Sequence, residues 1–170
     1  MPTKSIENYL RESECTMGIS RNFENLDEFL QYYAQAATAL DLCRNLSPNS
    51  SLCSFDDFYL TNIYRNILAK SVGNDFMDSR LLDILSYDKI NATDYLYDLY
   101  LYLVTGCSVT KTSAILGIHR NTVNYRIRTI CQLFSLNLKD PETVFALGLS
   151  LRVYYFKNEQ EKKKINTDFL

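Results

Sequence analysis

Apolar residues in the first part of the chain alternate between helical and strand-like spacing. They recur at helical intervals over about 26–45, which predicts a first long helix. Short apolar runs at 15–20 and 52–55 are typical of short strands. A further helix is expected over about 56–70, and the Gly- and Asn-containing residues 71–80 are expected to form a connection. The pattern therefore predicts a small α/β segment.

The next strongly apolar segment, 95–104, fits two structures. Its alternation and its aromatic residues favour a strand, whereas its leucines recur at helical spacing. Asn91 or Thr93 before it and Gly106 after it are typical of helix ends. We therefore predict a helix, preceded by a short one at 80–86. Its tyrosine-rich face indicates core packing or a dimer contact rather than a ligand site.

The spacing over 108–134 predicts two helices joined by a tight turn. Ser108 is a good cap for the first helix, and Gly117 suits the left-handed backbone of the turn. The second helix is expected to begin at His119 or Arg120. Its apolar stripe recurs at helical spacing and comprises Val123, Ile127, Ile130 and Phe134.

A strong helix start follows at Asp140, Pro141 and Glu142. Asp is a good N-cap, Pro suits the first helical position, and an acid in the first turn complements the helix dipole. This helix is expected to run to about Phe156. The expected division is a partial α/β segment at 1–72, a helical domain at 73–156 and a charged, disordered tail at 157–170.

The composition narrows the class of protein. A hydrophobic fraction of 46% is that of an ordinary globular protein with a core. No window approaches the roughly 18 uninterrupted apolar residues of a membrane span, so no membrane partner is expected. Residues 1–10 lack the apolar region of a secretory signal. A cytoplasmic location is therefore expected.

Cysteine and histidine usage argues against a metal site. The five cysteines include no C-x-x-C pair, so a disulfide framework and a zinc site are both unexpected, and the cysteines are interpreted as small buried hydrophobes. His119 is the only histidine. With no Gly-rich phosphate loop and no catalytic constellation, we expect neither a metal nor a cofactor, and we expect that the protein is not an enzyme.

The distribution of charge matters more than the net charge of −2. Residues 1–100 hold eight basic and fifteen acidic side chains, a net charge of −7. Residues 101–135 hold four basic side chains and no acidic one. A basic island on an acidic protein is the electrostatic footprint expected for binding a phosphate backbone.

This island coincides with the pair of helices at 108–134. Opposite the apolar stripe, the second helix presents arginines, amides and a tyrosine. Arg pairs bidentately with guanine and Asn with adenine in the major groove. Hydroxyls, backbone N–H groups and a cation near helix N-termini suit phosphates. The predicted DNA-binding residues are Ser108, Thr110, Lys111, His119, Arg120, Asn121, Thr122, Asn124, Tyr125 and Arg128. A packing role is the alternative for Tyr125, and Arg126 is expected to point toward the neighbouring helix or its rim.

Residues 117–153 closely resemble the C-terminal helix-turn-helix of the PucR/CdaR family of bacterial transcription regulators. The resemblance rests on the HRNT-x-x-YR core at 119–126 and on the DPET helix start at 140–143. The helix-turn-helix itself is similar to the Fis type. More weakly, MGISRNF, AQAATAL and SFDDF within 15–60 resemble the end of the degenerate GGDEF-like domain that precedes this module in the family.

The resemblance implies a mainly α fold in which a Fis-like helix-turn-helix domain follows a partial GGDEF-like α/β segment with one or two short strands. It implies a sequence-specific regulator of catabolic genes, such as those for purines or sugar diacids. Double-stranded DNA, a second copy of the chain and RNA polymerase are the expected partners, because one helix-turn-helix reads few base pairs. The chain is expected to lack the family's sensor region and the first part of its GGDEF-like domain, and thus to be either a fragment or a reduced regulator, so no effector site can be transferred.

A second hypothesis is a protein-interaction or adaptor module that binds a partner regulator rather than DNA. The acidic N-terminal part and the expected lack of a sensor motivate it. Salt-dependent DNA affinity separates the two hypotheses, since phosphate contacts make the logarithm of affinity fall with the logarithm of salt concentration.

Overall fold

The computed structural model describes residues 3–168, with side chains described from 5 to 160. Over that range the fold is mainly α with two short strands, as predicted. In chain order its elements are α1 (Thr3–Glu12), β1 (Met17–Ile19), a 3₁₀ turn (Leu26–Glu28), α2 (Phe29–Leu46), β2 (Leu52–Ser54), α3 (Phe55–Lys70), α4 (Ser79–Asn91), α5 (Tyr95–Val104), α6 (Val109–Leu116), α7 (Arg120–Leu133) and α8 (Pro141–Asp168).

The chain divides into two compact units, an N-terminal unit at Met1–Asn66 and a C-terminal unit at Ile67–Leu170. The division falls inside α3, close to the domain boundary predicted after residue 72. Each unit has its own packing and is described separately.

In the N-terminal unit, α2 crosses between two parallel strands. Strand β1 pairs with β2 in the register Met17 to Leu52 and Ile19 to Ser54, so both predicted strands are confirmed. The helix lies directly on the sheet at Gly18, where a Cβ would meet the carbonyl oxygen of Ala36 at 2.1 Å. Glycine is therefore required at position 18 by the close approach of the helix backbone.

A disulfide joins α2 to β2 through Cys43 and Cys53, both of which are buried. The expectation that these cysteines are unpaired was wrong. Their Cα atoms lie 6.0 Å apart, within the range that a disulfide accepts. The missing C-x-x-C spacing was a poor guide, because the crossover brings together two residues that are ten positions apart.

Helix α2 buries a different face from the one that its large side chains suggest. The helix predicted over 26–45 is confirmed, together with its short 3₁₀ entry. Its buried side chains are Ala39, Leu42 and Cys43. The large residues that produced the helical pattern remain exposed, namely Leu26, Phe29, Leu30 and Tyr33. Ala36 and Leu40 lie against the sheet at Gly18, where the helix backbone approaches it closely.

The C-terminal unit is organised around α5, which contacts α4, α6, α7 and α8. Leu96, Leu99 and Leu103 are buried on α5, in one core with residues from α4, α7 and α8. The segment that fitted both a strand and a helix is thus a helix surrounded by other helices. This explains why it is hydrophobic on most of its circumference.

The start of α5 is capped by a residue that the sequence did not indicate. The Asp88 carboxylate, on α4, accepts hydrogen bonds from the backbone N–H groups of Tyr95 and Leu96 at 2.9 and 2.8 Å. The predicted capping role of Asn91 or Thr93 was wrong. Asn91 is the last residue of α4, which is longer than the predicted 80–86, and the Thr93 hydroxyl bonds Asp88 instead.

Helix α8 begins as predicted and continues further than predicted. The Asp140 carboxylate accepts hydrogen bonds from the backbone N–H and the hydroxyl of Thr143. The buried residues Leu147, Leu151 and Val153 pack in the C-terminal unit. Residues 157–168, expected to form a disordered tail, extend the helix to Asp168. None of the helices described over 3–168 is long and apolar enough to cross a membrane.

Candidate nucleic-acid interface

The first helix of the predicted pair, α6, is fixed at its start and at its centre. The Ser108 side chain caps it by accepting from the Lys111 N–H at 3.4 Å, as predicted. Thr112 is fully buried, and its hydroxyl shares a 2.8 Å hydrogen bond with the Thr105 hydroxyl at the end of α5. A buried polar contact of this kind orients α6 on α5 and leaves Thr110 and Lys111 exposed.

A glycine turn joins α6 to α7. Gly117 has φ +66°, and its N–H donates to the Ser113 carbonyl. A Cβ at this position would meet no neighbouring atom, so the left-handed backbone alone requires glycine. Ile118 then packs against the core of the C-terminal unit. The predicted tight turn is confirmed.

His119 starts α7. Its backbone is extended, and its Nδ1 atom accepts a hydrogen bond from the Asn121 N–H at 3.2 Å. Because Nδ1 is an acceptor, the neutral ring carries its proton on Nε2. His119 therefore caps the helix with one nitrogen and presents an N–H donor on the other.

Helix α7 has one buried face and one exposed face. Val123, Ile127 and Ile130 are buried and Phe134 is half-buried against the same core, which confirms the predicted stripe. The predicted base-reading and phosphate-binding residues on this helix and its cap are all exposed, namely His119, Arg120, Asn121, Thr122, Asn124, Tyr125 and Arg128. Tyr125 is 69% exposed, so it is not a packing residue in this chain.

The cations of this surface are available to a ligand. Among the described residues, Lys111, Arg120 and Arg128 take part in no ion pair. No group of three His, Cys, Asp or Glu side chains that could hold a metal ion occurs within the described part of the chain. The chemistry of the surface is thus that of hydrogen-bond donors, amides and unpaired cations, which suits an anionic polymer.

One basic residue of α7 is used internally. The Arg126 guanidinium donates to the Asp98 carboxylate of α5 at 3.0 Å, so Arg126 faces the neighbouring helix as predicted. The Asp98 side chain is only 4% exposed. Burial raises the pKa of the Asp98 carboxyl, and the Arg126 guanidinium opposes that shift without cancelling it.

Asp98 was missed in the sequence. The available signal was a lone acidic residue inside the apolar segment 95–104, next to a basic island that holds no acid. A buried carboxylate needs a partner, and arginine is the side chain best suited to that role. Which arginine of the island serves is fixed only by the packing of α5 against α7.

The structure assembles all ten predicted DNA-binding residues from two adjoining helices and their caps. Ser108, Thr110 and Lys111 belong to the start of α6, and the other seven to α7 and its cap. Helices α6 and α7 contact each other directly. Their N-terminal backbone N–H groups supply further donors for an anion.

The sequence of this domain is similar to sequences of known proteins. A domain model described as the PucR C-terminal helix-turn-helix domain matches residues 96–153. The purine catabolism regulatory protein of Bacillus subtilis (strain 168) is 45% identical over 58 residues, which are 34% of this chain and 11% of that protein. The proline-responsive transcriptional activator PutR of the same organism is 26% identical over 138 residues, which are 79% of this chain and 33% of that protein.

This chain spans a third or less of the length of these two relatives. No solved structure matches it. The matched domain begins inside α5, contains α6, the glycine turn and α7, and ends inside α8. The chain therefore carries a helix-turn-helix domain of the PucR family at residues 96–153.

Proposed function

We propose that this chain is a sequence-specific transcription regulator that places α7 in the major groove of double-stranded DNA. The observation that carries the proposal is the exposed face of α7, where arginine, asparagine and tyrosine side chains stand opposite a buried apolar stripe and no acid intervenes. At about 1.5 Å per residue, its 14 residues extend about 21 Å, a length that fits the groove.

The predicted DNA-binding residues divide into two roles. Arg120, Asn121, Asn124, Tyr125 and Arg128 are proposed to read base edges, since their donors and amides match guanine and adenine. Each good bidentate contact contributes about 1–3 kcal/mol of discrimination against a wrong base. The proposed phosphate contacts lie near the starts of the two helices and are Ser108, Thr110, Lys111, His119 and Thr122.

The regulated genes are proposed to be catabolic. The names of the two relatives, a purine catabolism regulatory protein and a proline-responsive activator, support this class. A homodimer is proposed because one recognition helix reads few base pairs, and a dimer reads two half-sites. Contact with RNA polymerase and a cytoplasmic location follow from the same proposed role. The N-terminal unit, with its parallel β-α-β order, is proposed to be a partial GGDEF-like domain.

Selection of genomic fragments by the purified protein, followed by fluorescence anisotropy on the enriched site, tests the proposal. Arg120→Ala and Asn121→Ala are each expected to weaken binding to that site by about 5- to 150-fold, the equivalent of about 1–3 kcal/mol. Arg152→Ala is the matched control, because Arg152 is an exposed cation on α8 outside the surface. Unchanged affinity in both α7 variants contradicts the proposal.

A second candidate function is that of an adaptor that binds a partner regulator. The exposed apolar row on α2 and its 3₁₀ entry favours it, because Leu26, Phe29, Leu30 and Tyr33 recur at helical spacing and are at least half exposed. The adaptor alternative predicts no enrichment of DNA fragments and no salt-dependent DNA affinity. A steep fall of affinity with salt excludes it as the sole function.

A further inference from the structure

The ion pair between Asp98 and Arg126 links the recognition helix α7 to the central helix α5. Among the described residues it is the only ion pair between these two helices, and it joins positions 28 apart in the sequence. Asp98 lies among the buried leucines of α5, and Arg126 is 39% exposed at the flank of α7. The pair therefore connects a buried, fixed point on α5 to the edge of the exposed face of α7.

Buried ion pairs are in general a weak source of net stability. Burial raises the pKa of the Asp98 carboxyl, and the Arg126 guanidinium opposes that shift without cancelling it. Replacing such a pair by apolar side chains of similar volume is often neutral or stabilising. A charged pair at this position therefore calls for a role other than holding the helices together.

Geometry supplies that role. The apolar contacts of Val123, Ile127 and Ile130 hold α7 on the core. Hydrophobic attraction is non-directional, so a directional contact adds control over the rotation of the helix. Arg126 lies beside this stripe, three positions after Val123 and one before Ile127, so rotation changes its distance to Asp98. At a side-chain radius of about 5 Å, a rotation of about 20° displaces a side-chain tip by nearly 2 Å. That displacement is enough to break a hydrogen bond to a base.

We propose that Asp98 is a positioning residue that sets the rotation of α7 through Arg126 and thereby aims Asn121, Asn124 and Arg128 at base edges. The proposal rests on the proposed DNA-binding function, and it assigns specificity to a residue that does not touch DNA. Non-specific affinity, which phosphate contacts dominate, is not expected to depend on this rotation.

The test compares the wild-type chain with the double variant Asp98→Leu/Arg126→Met, which removes both charges and keeps the buried volume. Affinity for the selected site is expected to fall at least tenfold, affinity for a random duplex to stay within about threefold, and the melting temperature to stay the same or rise. A double variant that keeps the wild-type ratio of specific to random affinity overturns the proposal.

Two single variants keep the test independent of folding. Asp98→Asn retains an amide oxygen that can accept from Arg126, so its affinity ratio is expected to remain closer to wild type than that of the double variant. Asp94→Asn removes one exposed acid before α5 and is the charge-matched control. A loss of specificity in Asp94→Asn as large as that of the double variant contradicts positioning, because it indicates a general charge effect.

Residual dipolar couplings of the backbone N–H groups of α7, measured on the free proteins, separate this proposal from the proposed function. The couplings are expected to change in the double variant and to stay near wild type in Asp94→Asn. If the wild-type chain shows no salt-dependent DNA affinity, the proposed function fails, and the couplings alone decide whether Asp98 orients α7. Unchanged couplings in the double variant overturn the proposal.

Discussion

At the scale of single residues, backbone geometry and burial decide what each position requires. Gly117 is needed for its left-handed φ, whereas Gly18 is needed for its missing Cβ. Gly148 has neither requirement, since it lies within α8 and a Cβ there would meet no neighbouring atom. Three glycines in one chain therefore respond differently to the same substitution.

Gly117→Ala is expected to lower the free energy of unfolding by about 1–2 kcal/mol, because a Cβ is disfavoured in the left-handed region. Gly148→Ala is expected to raise it by about 0.5–1 kcal/mol, because alanine is a better helix former than glycine. Urea unfolding of the two variants checks both signs. Two effects of the same sign contradict the assignment of the turn.

Asp98 gives the stability of the protein a pH dependence of known sign. Its pKa is raised in the folded chain above the ordinary value of 3.8, so folding favours the protonated carboxyl. Its stabilising contribution is fully present below that value and is lost as the pH rises through the folded-state pKa. Relative to wild type, Asp98→Asn is therefore expected to gain stability as the pH rises through this window.

Urea unfolding of wild type, Asp98→Asn and the control Asp94→Asn across this window measures the effect. The difference between Asp98→Asn and wild type is expected to rise with pH and to level off above the folded-state pKa. A difference that falls with rising pH contradicts net destabilisation of the buried carboxylate.

At the scale of helices, local patterns predict elements well and long-range partners poorly. The glycine turn, the Ser108 and Asp140 caps and the buried face of α7 were all predicted, because each depends on residues a few positions apart. Capping of α5 by Asp88 and pairing of Asp98 with Arg126 were not predicted, since both depend on how helices pack.

Asp88 acts on α5 from the end of α4, so a single carboxylate joins two helices. Asp88→Ala is expected to lower the free energy of unfolding by about 1–2 kcal/mol, the usual range for loss of a helix cap. Asp83→Ala is the matched control, because Asp83 is an exposed acid on the same helix. Thermal unfolding of both variants measures the effect. Equal losses of stability in the two variants contradict a specific capping role of Asp88.

At the scale of the whole molecule, charge separates the two units. The N-terminal unit holds 5 basic and 9 acidic side chains, a net charge of −4, whereas the C-terminal unit holds 13 and 11, a net charge of +2. This partition could be read from the sequence. The Cys43–Cys53 bridge and the exposed apolar row of α2 could not, because the sheet on which α2 packs is built from distant strands.

Under the proposed function, this acidic protein binds DNA through one basic surface and depends on a small number of phosphate contacts. Each contact contributes about 0.9 to the slope of the logarithm of the association constant against the logarithm of salt concentration. Lys111→Ala is therefore expected to make that slope shallower by about 1 and to weaken binding to all duplexes alike. Lys89→Ala, which removes an exposed cation at the end of α4, is expected to leave the slope unchanged. Fluorescence anisotropy titrations at several potassium chloride concentrations measure both slopes, and equal changes in the two variants contradict a phosphate contact localised at α6.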